Sequence, residues 1–112
     1  GEHGPEYYVV IVDSRKYPQT AEHIKMAQTM GFPEFVTLGR SEAAERRKAS
    51  LADVKASPIY DRDEWPMAVF EEGGQGANVA YIDGRDNRGA GSSIGWQMRG
   101  FPDGSRVRVR VI

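Results

Sequence analysis

Three carboxylates and one arginine occupy four consecutive positions, Asp61, Arg62, Asp63 and Glu64, directly before Trp65. Side chains alternate along an extended strand, so Asp61 and Asp63 would share one face, while Arg62 and Glu64 would share the other. Two carboxylates on one face repel each other unless a cation or a proton lies between them. Asp63 is therefore a candidate to retain a proton or to contact a metal ion. The alternative is a surface cluster in which Arg62 pairs with an acidic neighbour and water solvates the remaining charges.

A second polar stretch, DNRGAGSS at residues 86–93, follows about twenty positions later. Asn87 offers a carbonyl oxygen of the kind that hard divalent cations accept. Arg88 is placed to reach a phosphate, and the two glycines of the stretch would let the backbone approach a ligand closely. Asp86 and Asn87 also favour turns through local hydrogen bonds, which require no ligand. The stretch is thus compatible with a binding loop or with an ordinary turn.

The residue types present narrow the possible chemistry. The 112 residues include no cysteine, which excludes disulfides, thiolate metal sites and a cysteine nucleophile in this chain. His3 lies in a polar terminal segment, and His23 lies on a predicted helix that is distant in sequence from the acidic cluster. A histidine on a helix surface more often has no catalytic role. We therefore expect any general base to be a carboxylate.

The elements that must position these side chains follow from hydrophobic periodicity and from glycine and proline. In the first half, the pattern predicts a buried strand, a helix that stops at Gly31, a second strand, and a surface helix that begins near Ser41 and ends before Pro58. The first three of these elements cover residues 7–13, 20–30 and 35–38.

The second half is richer in glycine and in short apolar runs. It predicts a hairpin, a loop that leads into a short helix, and a strand in which arginine and valine alternate. These elements cover a first arm at 65–70, a turn at 71–78, a second arm at 79–83, the loop at 86–93, the helix at 93–100 and the strand at 106–112.

This order predicts an α+β fold, a small single domain with a mixed or antiparallel sheet and flanking helices. We expect one domain over residues 1–112, with the site in the half from about 58 to 112, because the chain contains no repeat and no linker. No apolar run reaches the length of about 18 residues that a membrane span needs. The first residues lack the features of a signal peptide, so we expect a cytosolic protein or a mature domain without its leader.

The net charge of −1 conceals an asymmetry along the chain. Residues 85–112 contain six arginines and two aspartates, a net charge of +4, so the first 84 residues carry −5. Guanidinium groups match the geometry of phosphate oxygens, and an arginine-rich segment therefore predicts a phosphate-binding face. A solvated arginine face on a surface strand is the alternative.

Residues 44–112 resemble the NucA/NucB family of secreted bacterial deoxyribonucleases. The motifs ERRKASL, DRDEWP, EEGG, DNRGAGSS, a later glutamine and PDG occur in order with spacing similar to the family's. The first forty residues resemble the family only in their order of strand and helix. The family is related to the ββα-metal nucleases, also called His-Me finger nucleases. The resemblance therefore implies a ββα-metal core and an endonuclease that depends on one divalent cation, Mg²⁺ or Mn²⁺.

In the wider superfamily, a D-R-G-H motif supplies a histidine base, and an asparagine on the following helix holds the metal. Here Glu64 stands in the histidine's place and Asp63 in the glycine's. Related members without the histidine use an acidic residue of this motif, so the resemblance implies Asp63 as general base, with Glu64 as the alternative. Asn87 corresponds to the metal-binding asparagine. Gln97 corresponds to an amide or acid near the metal, and Asp61 is the acidic neighbour expected to complete the site.

The resemblance also implies how DNA is bound. Arg62 or Arg88 would neutralise charge that develops on the phosphorus, and the cleavage would be salt-sensitive and sequence-nonspecific. The residues expected to contact DNA are Arg85, Arg88, Ser92, Ser93 and Arg99.

The implied setting is a monomeric, secreted enzyme without a membrane span, or a toxin module of a larger secreted protein. The expected partners are single- or double-stranded DNA and a cognate inhibitor protein. The alternatives are a noncatalytic nucleic-acid-binding module of the same fold and an extracellular interaction domain.

Overall fold

The computed structural model describes residues 6–112, which form five strands and three α-helices. A short 3-10 turn, Arg40–Glu42, precedes the second helix. The elements are β1 (Tyr8–Val12), α1 (Pro18–Thr29), β2 (Phe35–Thr37), α2 (Ala43–Leu51), β3 (Asp61–Trp65), β4 (Asn78–Ile82), α3 (Gly84–Met98) and β5 (Arg106–Val111).

The three-stranded sheet has the order β1-β5-β2, with β5 at its centre. β1 runs parallel to β5, with Tyr8 opposite Val107, and β2 runs antiparallel to it, with Val36 opposite the same valine. Val107 and Val109 are fully buried, and the arginines of β5 point to the other face. The sheet is therefore mixed, and the predicted α+β fold with flanking helices is confirmed. The alternating pattern of residues 106–112 was interpreted correctly.

Helices α1 and α3 cover the valine face of this sheet and form the core with it. Trp65, at the end of β3, is fully buried, and its Nε1 donates a hydrogen bond to the Pro33 carbonyl oxygen at 3.0 Å. No helix in the described part of the chain has the length and apolar character needed to cross a membrane. The fully buried residues of the core include Val10, Ile24, Val36, Leu38, Trp65, Phe70, Ile94, Val107 and Val109.

β3 and β4 form an antiparallel hairpin, in which Asp61 lies opposite Ile82 and Trp65 lies opposite Asn78. The predicted first arm at 65–70 is wrong, because the arm is the acidic stretch that ends at Trp65. Pro66 has no N–H to donate to a ladder. The chain turns after it, with the Phe70 N–H donating to the Met67 carbonyl oxygen at 2.9 Å.

The predicted loop at 86–93 is also wrong, because these residues form the first turns of α3. Asp83 caps the helix by accepting a hydrogen bond from the Asp86 N–H at 3.0 Å. The Asp86 carboxylate in turn accepts bonds from the backbone N–H groups of Gln19 and Thr20, each at 2.9 Å. Asp86 therefore ties the first turn of α3 to the first turn of α1, and the helix continues through its glycines.

α2 is shorter than predicted, since it ends at Leu51 rather than near Pro58. Two side chains from the hairpin hold the following residues outside the helix. Arg62 Nη1 donates to the Val54 carbonyl oxygen at 2.7 Å, and the Tyr81 hydroxyl donates to the Lys55 carbonyl oxygen at 2.5 Å. The segment 54–60 is consequently fastened to the β3–β4 hairpin.

Candidate active site

A cavity of about 500 Å³ opens between α2, β3, the loop after β3 and the first turns of α3. Its walls carry both signs of charge. The charged residues that line it are Asp61, Asp63 and Glu64 together with Arg47, Arg62 and Arg88, and Asn87 lies among them.

The three carboxylates of β3 each meet a different helix. Asp61 faces α3, Asp63 faces α1, and Glu64 faces α2. Asp63 and Glu64 are each only 8% exposed, although the sequence placed them on opposite faces of a strand. Neither face of this short hairpin is open to solvent at these two positions. Burial of charge is costly without partners, so the contacts of each carboxylate decide its role.

Asp63 Oδ2 lies 2.6 Å from Nδ1 of His23 on α1, and the histidine's Nε2 lies 2.7 Å from Oδ1 of Asn78 on β4. Burial by itself lowers the pKa of His23. The hydrogen bonds to Asp63 and Asn78, together with the negative charge of Asp63, outweigh it and raise the pKa of His23 above its usual value. The contact with His23 thus holds the Asp63 carboxylate in position, and His23 itself does not line the cavity.

His23 is the main residue that the sequence interpretation missed, since it was assigned to a helix surface. It is only 7% exposed, and it lies on the face of α1 that also carries Thr20 and Ala27. The signal was its spacing from these residues, three and four positions away, which places a histidine on the buried stripe. A buried histidine needs polar partners, and those partners come from strands distant in sequence.

Glu64 accepts a hydrogen bond from the Ser50 hydroxyl of α2, and its Oε1 lies 3.6 Å from Nε of Arg47. Burial raises the pKa of the Glu64 carboxyl, and the nearby Asp63 charge adds to the effect. The Ser50 hydrogen bond and the Arg47 charge oppose this shift without cancelling it. Glu64 therefore holds a proton at higher pH than an ordinary glutamate. Ser50 and Arg47 precede the half of the chain in which we expected the site.

Asp61 and Asn87 are joined directly, with Asn87 Nδ2 donating to Asp61 Oδ2 at 3.1 Å. Because the amide nitrogen is used, the carbonyl oxygen of Asn87 is left for another partner. Arg88 Nε donates to the Gly84 carbonyl oxygen at 2.9 Å and lies 3.6 Å from Asp61 Oδ2. The Arg88 side chain is 75% exposed, so its guanidinium remains accessible from the cavity mouth.

The donor atoms on these walls are suited to a hard divalent cation. They are carboxylate oxygens and the carbonyl oxygen of Asn87. Within residues 6–112, no group of three or more His, Cys, Asp or Glu side chains is arranged to hold a metal ion by itself. Mg²⁺ commonly uses one or two carboxylates, retains water and takes phosphate oxygens from the substrate. The residues therefore fit a partly hydrated cation completed by substrate, and they do not fit a closed structural site.

Two predicted residues lie away from the cavity. Gln97 Oε1 accepts from the Ile11 N–H and its Nε2 donates to the Ile11 carbonyl oxygen, both at 2.8 Å. Ser93 accepts a further bond from the same amide nitrogen at 3.2 Å. The position of Gln97 therefore gives no support to its predicted contact with the metal, because its amide satisfies the open edge of β1 instead.

The predicted basic residues are dispersed. Arg62 lines the cavity but is committed to Val54, and Arg85 and Ser92 are exposed on α3. Arg99 lies beyond the helix end with its guanidinium carbon 3.7 Å from the centre of the Trp96 ring. Of the arginines predicted to contact DNA, only Arg88 reaches the cavity.

The comparison with protein-family models gave no match. Among individual proteins, the chain is similar to the DNA-entry nuclease of Bacillus subtilis (strain 168). The two are 53% identical over 94 residues, which cover 84% of this chain and 64% of that protein. The chain therefore spans a little less than two thirds of the length of the DNA-entry nuclease, and over most of its own length it is similar to that nuclease.

Proposed function

We propose that this chain is a nuclease domain that hydrolyses phosphodiester bonds of DNA, internally and without sequence preference, with the help of one divalent cation. The observation that carries the proposal is the meeting of Asp61, Asp63, Glu64 and Asn87 in one cavity with exposed arginines at its mouth. The similarity to a DNA-entry nuclease supports DNA as the substrate. The order of β3, β4 and α3 is compatible with the ββα-metal relationship that the sequence implies.

Asp63 is the proposed general base. Its carboxylate borders the cavity, and His23 holds it by a 2.6 Å contact on the opposite side. A water molecule in the cavity would lose a proton to Asp63 while its oxygen bonds to phosphorus and the bond to the departing 3′ oxygen breaks. His23 would act as a positioning residue, because it lies behind Asp63 and keeps the carboxylate in one rotamer.

Glu64 is the alternative base, because burial raises the pKa of its carboxyl group. A general base works best when its pKa lies near the operating pH, and burial raises the pKa of Glu64 in that direction. Its hydrogen bond from Ser50 would then orient the carboxylate as His23 orients Asp63. The two assignments differ in which conservative amide substitution abolishes cleavage.

Asn87, through its carbonyl oxygen, and Asp61 would hold the divalent cation, Mg²⁺ or Mn²⁺, with water and substrate phosphate as further ligands. When bound, the cation would supply Lewis-acid stabilisation of the phosphoryl oxygens and of the leaving oxygen. The hydrogen bond between Asn87 and Asp61 orients both side chains toward the same space.

Arg88 and Arg47 would bind the phosphate that is attacked and its neighbours. Their side chains are 75% and 66% exposed at the cavity mouth, and both are close to carboxylates that limit their freedom. Contacts to phosphate carry no base information, so cleavage without sequence preference follows. Secretion, a monomeric state and a cognate inhibitor belong to the same proposal, and they rest on the sequence resemblance alone.

Nicking of supercoiled plasmid tests the proposal. We expect cleavage with Mg²⁺ or Mn²⁺ that EDTA stops, with losses of roughly a hundredfold or more in Asp63→Asn and in Asn87→Ala. Asp53→Asn, at an exposed aspartate outside the cavity, is the matched control and should retain full activity.

The same assay separates the alternatives. Full activity in Asp63→Asn with loss in Glu64→Gln would transfer the base to Glu64. DNA binding without nicking under any divalent metal would contradict the enzyme and favour a noncatalytic binding module. Absence of DNA binding at low salt would leave an interaction domain.

A further inference from the structure

The segment 54–60, between α2 and β3, forms one rim of the cavity, and Ser57 and Tyr60 line it directly. Tyr60 is 50% exposed and the adjacent Ile59 is 76% exposed. Tyr60 therefore places an exposed aromatic ring at the mouth of a cavity that also carries charged side chains, and Ile59 is exposed next to it in the sequence.

This rim is held in place from several sides. Val54 and Lys55 receive the hydrogen bonds from Arg62 and Tyr81 described above. Ser57 Oγ accepts bonds from the backbone N–H groups of Ile59 and Tyr60, each at 3.0 Å. The Tyr60 ring is thus displayed on a segment whose backbone is fixed before any ligand arrives, which limits the entropy lost when a ligand packs against it.

The residues near Tyr60 include cationic side chains that could bind the phosphates of a nucleic-acid strand. Asp61 follows it directly, and Arg47 and Arg88 line the same cavity. Proteins hold single strands by combining cationic groups that follow the phosphates with aromatic rings on which bases stack. A base inside a duplex is already stacked on both faces, so only an unpaired base can use an exposed ring in this way.

We propose that Tyr60, flanked by Ile59, forms a nucleobase-stacking subsite next to the scissile phosphate, and that the preferred substrate is single-stranded or locally unpaired DNA. This inference rests on the proposed function, because it takes the cavity to be the site where a phosphodiester is bound. The stacking contact holds one base beside the attacked phosphate without reading its identity, since every base offers a flat face.

Equilibrium binding in EDTA tests the subsite without cleavage. The probes are an oligothymidylate of about twenty nucleotides, an abasic strand of equal length and a blunt-ended duplex annealed from two strands, which has no unpaired loop. We expect Tyr60→Ala to weaken binding of oligothymidylate by between about fivefold and a hundredfold, the range for loss of one stacked base. Binding of the abasic strand and of the duplex should stay within about twofold of the parent protein, since neither offers a free base.

Variants at the same and at a matched position sharpen the test. Tyr60→Phe keeps the ring and should bind as the parent does, whereas Tyr60→Leu keeps bulk without the ring and should bind as Tyr60→Ala does. Tyr7→Ala is the control, because Tyr7 is 44% exposed but does not line the cavity. It should leave binding of all three probes unchanged. Thermal unfolding of each variant verifies that it is folded.

Equal binding of oligothymidylate by the parent, Tyr60→Ala and Tyr60→Leu would overturn the subsite, as would an equal loss on the abasic strand. Plasmid nicking by the parent protein distinguishes this failure from failure of the proposed function. Metal-dependent nicking together with unaffected oligothymidylate binding would leave the nuclease proposal intact and remove only the stacking subsite.

Discussion

At the scale of single residues, His23 determines how the acidic strand is arranged. Both ring nitrogens face oxygens, one from Asp63 and one from Asn78, at 2.6 and 2.7 Å. An imidazolium can donate to both oxygens at once, whereas a neutral ring has only one N–H. The site therefore stabilises the protonated ring, and this is the cause of the raised pKa of His23.

This proton contributes stability that depends on pH. The folded pKa of His23 is raised, so the contribution is fully present below the unfolded value of about 6.5 and is lost as pH rises through the folded value. We expect His23→Gln to lower the free energy of unfolding more at about pH 5.5 than at about pH 9. Urea unfolding at both pH values measures the difference. Lys25→Gln, exposed on the same helix, should show no such dependence. An equal cost of His23→Gln at both pH values would contradict the prediction.

At the scale of elements, α3 illustrates where the sequence misleads. Its glycines suggested a loop, but Gly89 lets the Tyr17 ring pack against a helix, because a Cβ there would lie 2.8 Å from Cε1 of Tyr17. The cap from Asp83 and the contacts of Asp86 with α1 stabilise the helix despite the low propensity of glycine. Tertiary contacts of this kind are not visible in local composition.

Two glycines in different settings give opposite expectations. A Cβ at Gly73 would lie 2.5 Å from the Met67 carbonyl oxygen, so Gly73→Ala must displace backbone and should destabilise the fold by about 2 kcal/mol or more. A Cβ at Gly95, exposed within α3, meets no atom within 4 Å among the described residues. Gly95→Ala should therefore stabilise by about 0.5–1 kcal/mol. Thermal unfolding of both variants measures whether each change raises or lowers stability. A Gly73→Ala protein as stable as the parent would contradict the expected destabilisation.

Gln97 provides a test of helix-to-strand attachment. Its amide pairs with both backbone groups of Ile11, so Gln97→Leu leaves them without these partners and should cost about 1–3 kcal/mol. The metal concentration for half-maximal nicking should not change, since Gln97 does not line the cavity. A shifted metal requirement at unchanged stability would place Gln97 at the metal after all.

At the scale of the whole molecule, the two unequal charge segments of the sequence meet in the sheet. Arg106 pairs with Glu72, with Nη1 and Oε2 3.4 Å apart, and Arg108 pairs with Glu34. The arginine face of β5 is thus partly neutralised by acidic residues from the first part of the chain and from the loop after β3. The accessible positive charge near the cavity comes from Arg47 and Arg88 instead.

The salt dependence of DNA binding can show which of these arginines contact phosphate. Removing one phosphate contact lowers the slope of log affinity against log salt by about one. We expect a decrease of that size in Arg47→Gln and in Arg88→Gln, and little change in Arg108→Gln, whose charge is already paired. Titrations of a duplex in EDTA over a range of salt measure the slopes. A decrease in Arg108→Gln alone would move the DNA-binding face to the sheet.

Much of the fold was predictable, since alternation identified β5. The structure also brings Asp61, Asp63, Glu64 and Asn87 into one cavity, as expected from the sequence, while their roles there stay predictions. His23, Ser50 and Arg47 were not predicted as site residues, because they come from α1 and α2. Their approach to β3 depends on which helix packs on which strand, and periodicity contains no information about that choice.

The central position of β5 in the three-stranded sheet has a consequence for the folding of the chain during its synthesis. β1 and β2 do not pair with each other, and the strand with which each pairs is β5, from the opposite end of the described chain. Pairing over such a separation is slow, because a long loop must close before the contact is gained. A partly synthesised polypeptide that lacks β5 has no three-stranded sheet, so the valine face that α1 and α3 cover is missing. The proposed cleavage of DNA would then begin only after β5 has joined the sheet.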